Sequence, residues 1–315
     1  MSKEKKYYVS RYVTQTDRTH YGPFTFAEAM HCMEEWRHTG DALALTDSDY
    51  HIIPEFDYYS EDEEMEVVQI TAADIENGRI KDESKVADCK GHIEIEAGLG
   101  IVFASQFRAA GYIWAGSGCG IEAGYSIRAG EGIKAGEDIH AGYIIKAGYG
   151  IEAGCGIKAG YGIRAGESIH AGEGIEAGCG IKAGYSIRAG ESIHAGEDIH
   201  SGYIIKAGSG IKAGYGIRAD YSIEAGKDIH AGEGIEAGYS IRAGEGIHAG
   251  YGIKAGEDIE AGEDIHAAFR IFAGLATSLK SPTKEQCRIR CKRLAKGEVC
   301  YGELVETSKL KEVAQ

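Results

Sequence analysis

Histidine, tyrosine, glutamate and lysine or arginine recur through the middle of this chain at fixed spacings, so the first question is what chemistry such a pattern can support. Seven repeat histidines (His140, His170, His194, His200, His230, His248 and His266) all stand one residue after an isoleucine. Regularly placed imidazoles can act as general bases or metal ligands, but at an outward strand position most of them read as surface rungs. Cys119, Cys155 and Cys179 share a variable position with Tyr and Glu. Cys287, Cys291 and Cys300 lie in a basic C-terminal segment with no histidine nearby. The Cys287-x3-Cys291 spacing lacks a second ligand pair, so free thiols are expected, with no metal and no cofactor. The chain carries no phosphate loop of the Gly-x4-Gly-Lys-Ser/Thr type, no nucleophile elbow and no Asp-rich calcium repeat, so no catalytic residue is assigned.

The element that positions these residues is a hexad. From Ile121 to Ile271 isoleucine falls at every sixth residue, 26 times, and alanine follows two residues later except at Ser201. Alternation over Ile, polar, Ala places Ile and Ala on one face of a short strand and the charged residue on the other. The following glycine is expected to supply the backbone freedom of a corner. No hexad can bury its apolar face alone, so the chain is predicted to be mainly β, a parallel β-solenoid. The 24-residue repeat joining 155–178 to 179–202, and the 60-residue offset joining 136–148 to 196–208, are multiples of twelve but not of eighteen. A coil of two hexads is therefore preferred, with a three-hexad triangle as the alternative. In the series of every second outward residue that begins at Glu122, all members after the first (Lys134, Lys146, Lys158, His170, Lys182 and so on to His266) are basic or His, which a two-hexad coil would gather into one basic ladder.

Five segments follow. Residues 1–54 form a small α+β domain: a strand over Tyr7–Val13, a turn at Gly22-Pro23, a helix from the capping box Thr25-x-x-Glu28 to about His38, and a hairpin pairing Ala42–Leu45 with Tyr50–Ile53. Residues 55–66 carry seven acidic residues and no basic one, and read as an acidic linker; Glu61, Asp62, Glu63 and Glu64 are candidate contact residues. Residues 67–120 connect and cap the solenoid, 121–273 are the solenoid, and 274–315 form a C-terminal cap and basic tail. Ser281-Pro282-Thr283 opens a predicted helix through Lys296, and a short strand is expected near Val299–Val305.

Net charge is −15, shared as −10 over 1–90, −9 over 91–273 and +4 from 274. An acidic rod repels nucleic acid, so a protein partner is expected in preference to direct nucleic-acid binding. No uninterrupted membrane-spanning run occurs and the N-terminus lacks a signal-peptide core, so a cytoplasmic protein is expected. Tyrosines before the isoleucines (Tyr143, Tyr161, Tyr185, Tyr203, Tyr215, Tyr239 and Tyr251 among ten) are candidate contact residues. Tyrosine brings large area at low entropic cost, although stacking between coils accounts for them equally.

The GIKAG, GIEAG and SIRAG units, closing with Phe269-Arg-Ile-Phe-Ala-Gly-Leu, Pro282-Thr-Lys-Glu and Tyr301-Gly-Glu-Leu, resemble uncharacterised hexapeptide-repeat proteins of bacteria and their phages. The resemblance covers about 91–306 and implies a solenoid and a mobile-element setting in a bacterial host. It brings no activity, cofactor or functional residue. The resulting expectation is a non-enzymatic interaction protein that inhibits a bacterial nucleic-acid-handling or defence complex by DNA mimicry, with the N-terminal domain or the caps as the route to a homo-oligomer. A self-assembling structural rod is one alternative. The other is a hexapeptide-repeat acyltransferase, whose family favours a small residue where this chain has Tyr, Glu or Cys.

Overall fold

The computed structural model describes residues 7–14, 17–24, 50–54, 65–274 and 287–308. The chain divides into two units, 1–64 and 65–315. In the first, strands Tyr7–Thr14, Asp17–Phe24 and Tyr50–Pro54 form an antiparallel sheet with Tyr7–Thr14 in the centre. Gly22 and Pro23 are therefore not a turn. They lie in an edge strand, beside a register shift between Tyr7 and Val9, where a residue without an N–H is tolerated. By that point the two strands already run antiparallel, Thr14 pairing with Asp17. The predicted helix from Thr25 and the strand Ala42–Leu45 lie outside the described residues.

The second unit is a parallel β-solenoid. Each short strand pairs with the strand eighteen residues away: Ile133 with Ile151, Ile139 with Ile157, Ile145 with Ile163. A coil therefore holds three hexads, and the preference for two is overturned. The reason is instructive. All hexads present the same Ile and Ala inward, so a duplication need only preserve whole hexads. Both the 24- and 60-residue offsets equal a number of complete coils plus one hexad, which turns the copied segment onto the next face without disturbing the core.

That core is a continuous column. Every isoleucine in the six-residue series is 0–1% exposed, and the alanines are buried beside them. One ladder of the solenoid contains thirteen strands, from Val67–Ile70 to Glu303–Glu306. At about 4.8 Å per step it is roughly 58 Å long. The eight-residue gap between Ile113 and Ile121 is absorbed at a corner, where Ile113 pairs with Ile133 across a coil two residues longer. Gly98 and Gly118 take positive φ there.

Within the regular repeat the glycines have a different role from the expected one. Among the described glycines, positive φ occurs at flanking positions such as Gly98 and Gly274 and at none of the hexad corners. The reason for glycine is close approach. A Cβ on Gly148 would stand 1.8 Å from the carbonyl oxygen of Gly130 one coil below. Glycine thus sets how tightly the coils stack, and the backbone completes the corner with bonds such as Gly148 N–H to Ala129 O at 3.2 Å.

The end coils depart from the repeat. At the start, a hairpin joins Ile75–Glu76 to Arg79–Ile80 through Asn77-Gly78, both at positive φ, the backbone of a tight hairpin turn. The Arg79 guanidinium lies over the Phe103 ring at 4.8 Å. At the other end the predicted helix is replaced from residue 288 onward by strands Arg288–Cys291 and Arg293–Tyr301. Alternation explains the change. Cys287, Ile289 and Cys291 are buried and continue the columns, while Arg288 and Arg290 point out. A last strand, Glu303–Glu306, falls where a short strand was expected.

Candidate interaction faces

Three hexads per coil give three faces and three corners, and the outward residues must be sorted on that frame. The first face contains Ile133–Ala135, Ile151–Ala153 and their coil-to-coil partners; the second contains Ile139–Ala141 and Ile157–Ala159; the third contains Ser126–Ala129, Ile144–Ala147 and Gly162–Ala165. The alternating basic series expected from a two-hexad coil is dispersed: Lys134 lies on the first face, Lys158 on the second and Lys146 on the third.

On the first two faces, charge is neutralised across neighbouring coils. Lys134 pairs with Glu152 at 3.1 Å, Lys206 with Glu224 at 3.0 Å, and Lys158 with Glu176 at 2.8 Å. The Lys158 ammonium, by hydrogen bonding, holds the Glu176 carboxyl below its ordinary range. His230, His248 and His266 stack on the second face at 5.9 and 5.8 Å. Burial, then the charges of His248 and Lys212, pushes His230 below the ordinary imidazole value against an opposing pull from Asp228. The troughs along these faces are shallow; one of about 540 Å³ is lined by His140, Lys158, Glu176 and His194.

The third face differs. In register from coil to coil stand Arg108, Arg128, Lys146, Arg164, Lys182, His200 and Arg218. Glu236 and Lys254 follow, paired at 2.7 Å. Among the described residues no carboxylate forms an ion pair with Arg128, Lys146, Arg164 or Lys182. All four are exposed. Like charges directly opposite one another on paired strands repel, so this row opposes coil stacking and must be carried by the core.

The corners are sorted as well. Between the first and second faces lie Glu137, Asp138, Glu173, Glu191, Asp228, Glu245, Glu263 and Asp264, with Lys227 the lone cation among them. The aspartates have a structural role here: Asp138 and Asp228 accept the backbone N–H of Gly156 and Gly246 in the next coil, at 2.7 and 2.8 Å. The other two corners border the third face and hold all ten repeat tyrosines. Tyr125, Tyr143, Tyr161, Tyr215 and Tyr251 precede its strands; Tyr149, Tyr185, Tyr203, Tyr221 and Tyr239 follow them. Tyr125, Tyr143 and Tyr161 stack at 5.1 and 5.0 Å, and Tyr185 through Tyr239 at 4.8–4.9 Å. The change of corner between Tyr161 and Tyr185 is the 24-residue duplication, displaced by one hexad.

The candidate tyrosines are thus brought to both margins of one face, four on one side (Tyr143, Tyr161, Tyr215, Tyr251) and three on the other (Tyr185, Tyr203, Tyr239). Glu61, Asp62, Glu63 and Glu64 lie outside the described residues. The basic row itself was missed. Reading outward residues at an interval of eighteen would have exposed it. Cys119, which shares the variable position with Tyr and Glu, is fully buried, its Sγ–H donating to Glu96 O at 3.0 Å and its Sγ accepting from Leu99 N–H at 3.1 Å. Among the described residues no helix is long and apolar enough to cross a membrane. Comparison with protein-family models, curated proteins and solved structures returns no match to this chain.

Proposed function

We propose that the chain is a non-enzymatic interaction protein, a rigid rod whose backbone exists to hold lines of side chains in fixed register before a macromolecular partner. The observation that carries this reading is the sorting of outward chemistry. A core of interchangeable hexads imposes no outward preference, yet all ten repeat tyrosines stand at two corners, the third corner has the most acids, and the face opposite it carries the longest run of Lys and Arg. In its sharper form, the partner is a nucleic-acid-handling or defence complex of a bacterial cell, and the acidic corner occupies the place of a phosphate strand in its DNA site. Carboxylates at a regular pitch on a stiff support suit that role, because they meet a cationic groove without first losing conformational freedom.

The test is capture of binding proteins from a bacterial lysate, followed by challenge with duplex DNA. Release of the captured protein by duplex, and loss of capture on replacing Glu137, Glu173 and Glu191 by Gln, is the expected result. A captured partner indifferent to both changes removes the mimicry.

A further inference from the structure

The third face carries a row of basic side chains whose ends are paired, Arg108 with Asp88 and Arg218 with Asp220, both at 3.7 Å, and whose middle, Arg128, Lys146, Arg164 and Lys182, has no ion pair among the described residues; tyrosines stand at both margins. We infer that this face binds the phosphate backbone of a single-stranded nucleic acid, in a contact separate from the acidic corner and independent of it. The inference rests on three observations.

The first is sign and density. Arg108, Arg128, Lys146, Arg164, Lys182, His200 and Arg218 follow one another without an intervening acid on that face. Six steps of about 4.8 Å make a straight row of six Lys or Arg and one His about 29 Å long. Exposed charges act over about 8–10 Å at ordinary ionic strength, so the acids in the bordering corners count and those across the core do not; beside Arg128, Lys146, Arg164 and Lys182 those corners hold two acids, Glu131 and Glu167, which leaves this stretch net positive.

The second is straightness. A strand of B-form duplex winds once around its axis in about 34–36 Å, so over this length it would leave a straight row after a few phosphates. A flexible single strand can follow the row throughout.

The third is the rings. Most tyrosines are covered by their neighbours, but the stacks end. Tyr161 is followed in its corner by Cys179, Tyr185 is preceded by Glu167, and Tyr215 stands between Glu197 and Glu233. Their faces carry no second ring there, and Tyr161 and Tyr215 are 47% and 50% exposed. A nucleobase can stack on such a face; the side chains of an acidic peptide cannot. This favours nucleic acid over an acidic protein.

The experiment uses the full chain and a fluorescein-labelled oligo-dT of roughly 12 nucleotides, with anisotropy read from 50 to 200 mM salt. With about five phosphates neutralised, the log–log salt slope should be near −3.5, a loss of roughly 100-fold in affinity across that range. The triple variant Lys146→Gln, Arg164→Gln, Lys182→Gln should bind more weakly and flatten the slope by about 2. Its thermal stability should match or exceed the parent's, because repulsion is relieved. Lys134→Gln with Lys206→Gln, on the first face, should leave binding unchanged. Tyr161→Ser with Tyr215→Ser should weaken binding without altering the slope. Absence of oligo-dT binding at 50 mM salt overturns the inference. So does equal affinity for poly-glutamate, equal affinity for a duplex of the same length, or a triple variant that binds like the parent. Because these variants leave the acidic corner intact, their failure is distinct from failure of lysate capture and duplex release.

Discussion

Replacing Gly184 by Ala separates two accounts of why glycine recurs at every corner. If glycine were there for flexibility at an ordinary φ, Gly184→Ala would reduce the freedom of the unfolded chain and stabilise the protein by about 0.4–1 kcal/mol. The geometry says the opposite. A Cβ on Gly184 would lie 1.9 Å from the Gly166 carbonyl oxygen and 3.0 Å from its carbon, both backbone atoms that cannot swing away. Relief requires these coils to separate by more than an ångström at that corner. The Gly184 N–H bond to Ala165 O (3.2 Å) and the Tyr185 N–H bond to Glu167 O (2.9 Å) would stretch with it. Overpacking of about 1–3 kcal/mol, and about 1 kcal/mol for weakened backbone bonds, gives a loss of about 2–4 kcal/mol. For a folded unit of this size that is a fall of roughly 4–16 °C in Tm. Circular dichroism melts and amide exchange at residues 165–167 and 184–185 read the effect. A Tm equal to or above the parent's would refute the close-approach account. Asp220 supplies the reciprocal test, since it stands in the glycine column one coil above Gly202, with only an exposed pair to Arg218 at 3.7 Å in return. Asp220→Gly is expected to raise Tm by a few degrees.

Ile187→Asp should cost several kcal/mol, because it buries a carboxylate with no partner in a core one side chain deep, whereas Ile187→Val should cost only about 0.5–1.5 kcal/mol; urea titrations of the pair measure the contrast. Acidification should destabilise the rod in two stages. His230 has a depressed imidazole, so its contribution is present above the ordinary histidine pKa and lost as pH falls through its lower folded value; His230→Gln should flatten Tm against pH between about 7 and 5. Asp74, lowered to about 2 chiefly by its hydrogen bond from Lys85, contributes above the ordinary carboxylate pKa and loses that contribution as pH falls toward 2; Asp74→Asn should remove this part of the acid limb. Lys158→Ala should change stability by no more than about 1 kcal/mol, since its pair with Glu176 is more than half exposed on both sides.

The residues that announced the fold were those facing inward. Ile and Ala at positions one and three of each hexad require a half-buried strand, and their unbroken recurrence requires stacking, so strand, corner and column were readable without coordinates. The C-terminal cap was misjudged because Ser281-Pro282 is a local helix signal, while burial of Cys287, Ile289 and Cys291 depends on a column supplied by the rest of the chain. The Gly22-Pro23 turn failed for a similar reason: only pairing with Tyr7–Thr14 shows that an edge strand accommodates it.

The candidate tyrosines were selected for exposure and aromatic area, and the structure arranges them about a face no local pattern marks. Periodicity of six by itself determined that Ile and Ala are inside and that charge and tyrosine are outside, since one short strand already has two sides. The number of hexads in a coil belongs to the tertiary structure, because hexads with identical inward chemistry are interchangeable and leave the closure of the coil to the packing of three strands around a common core. That closure alone decides which outward residues become neighbours, and so it turns a chain of net negative charge into a rod with an acidic corner, two tyrosine margins and a cationic face.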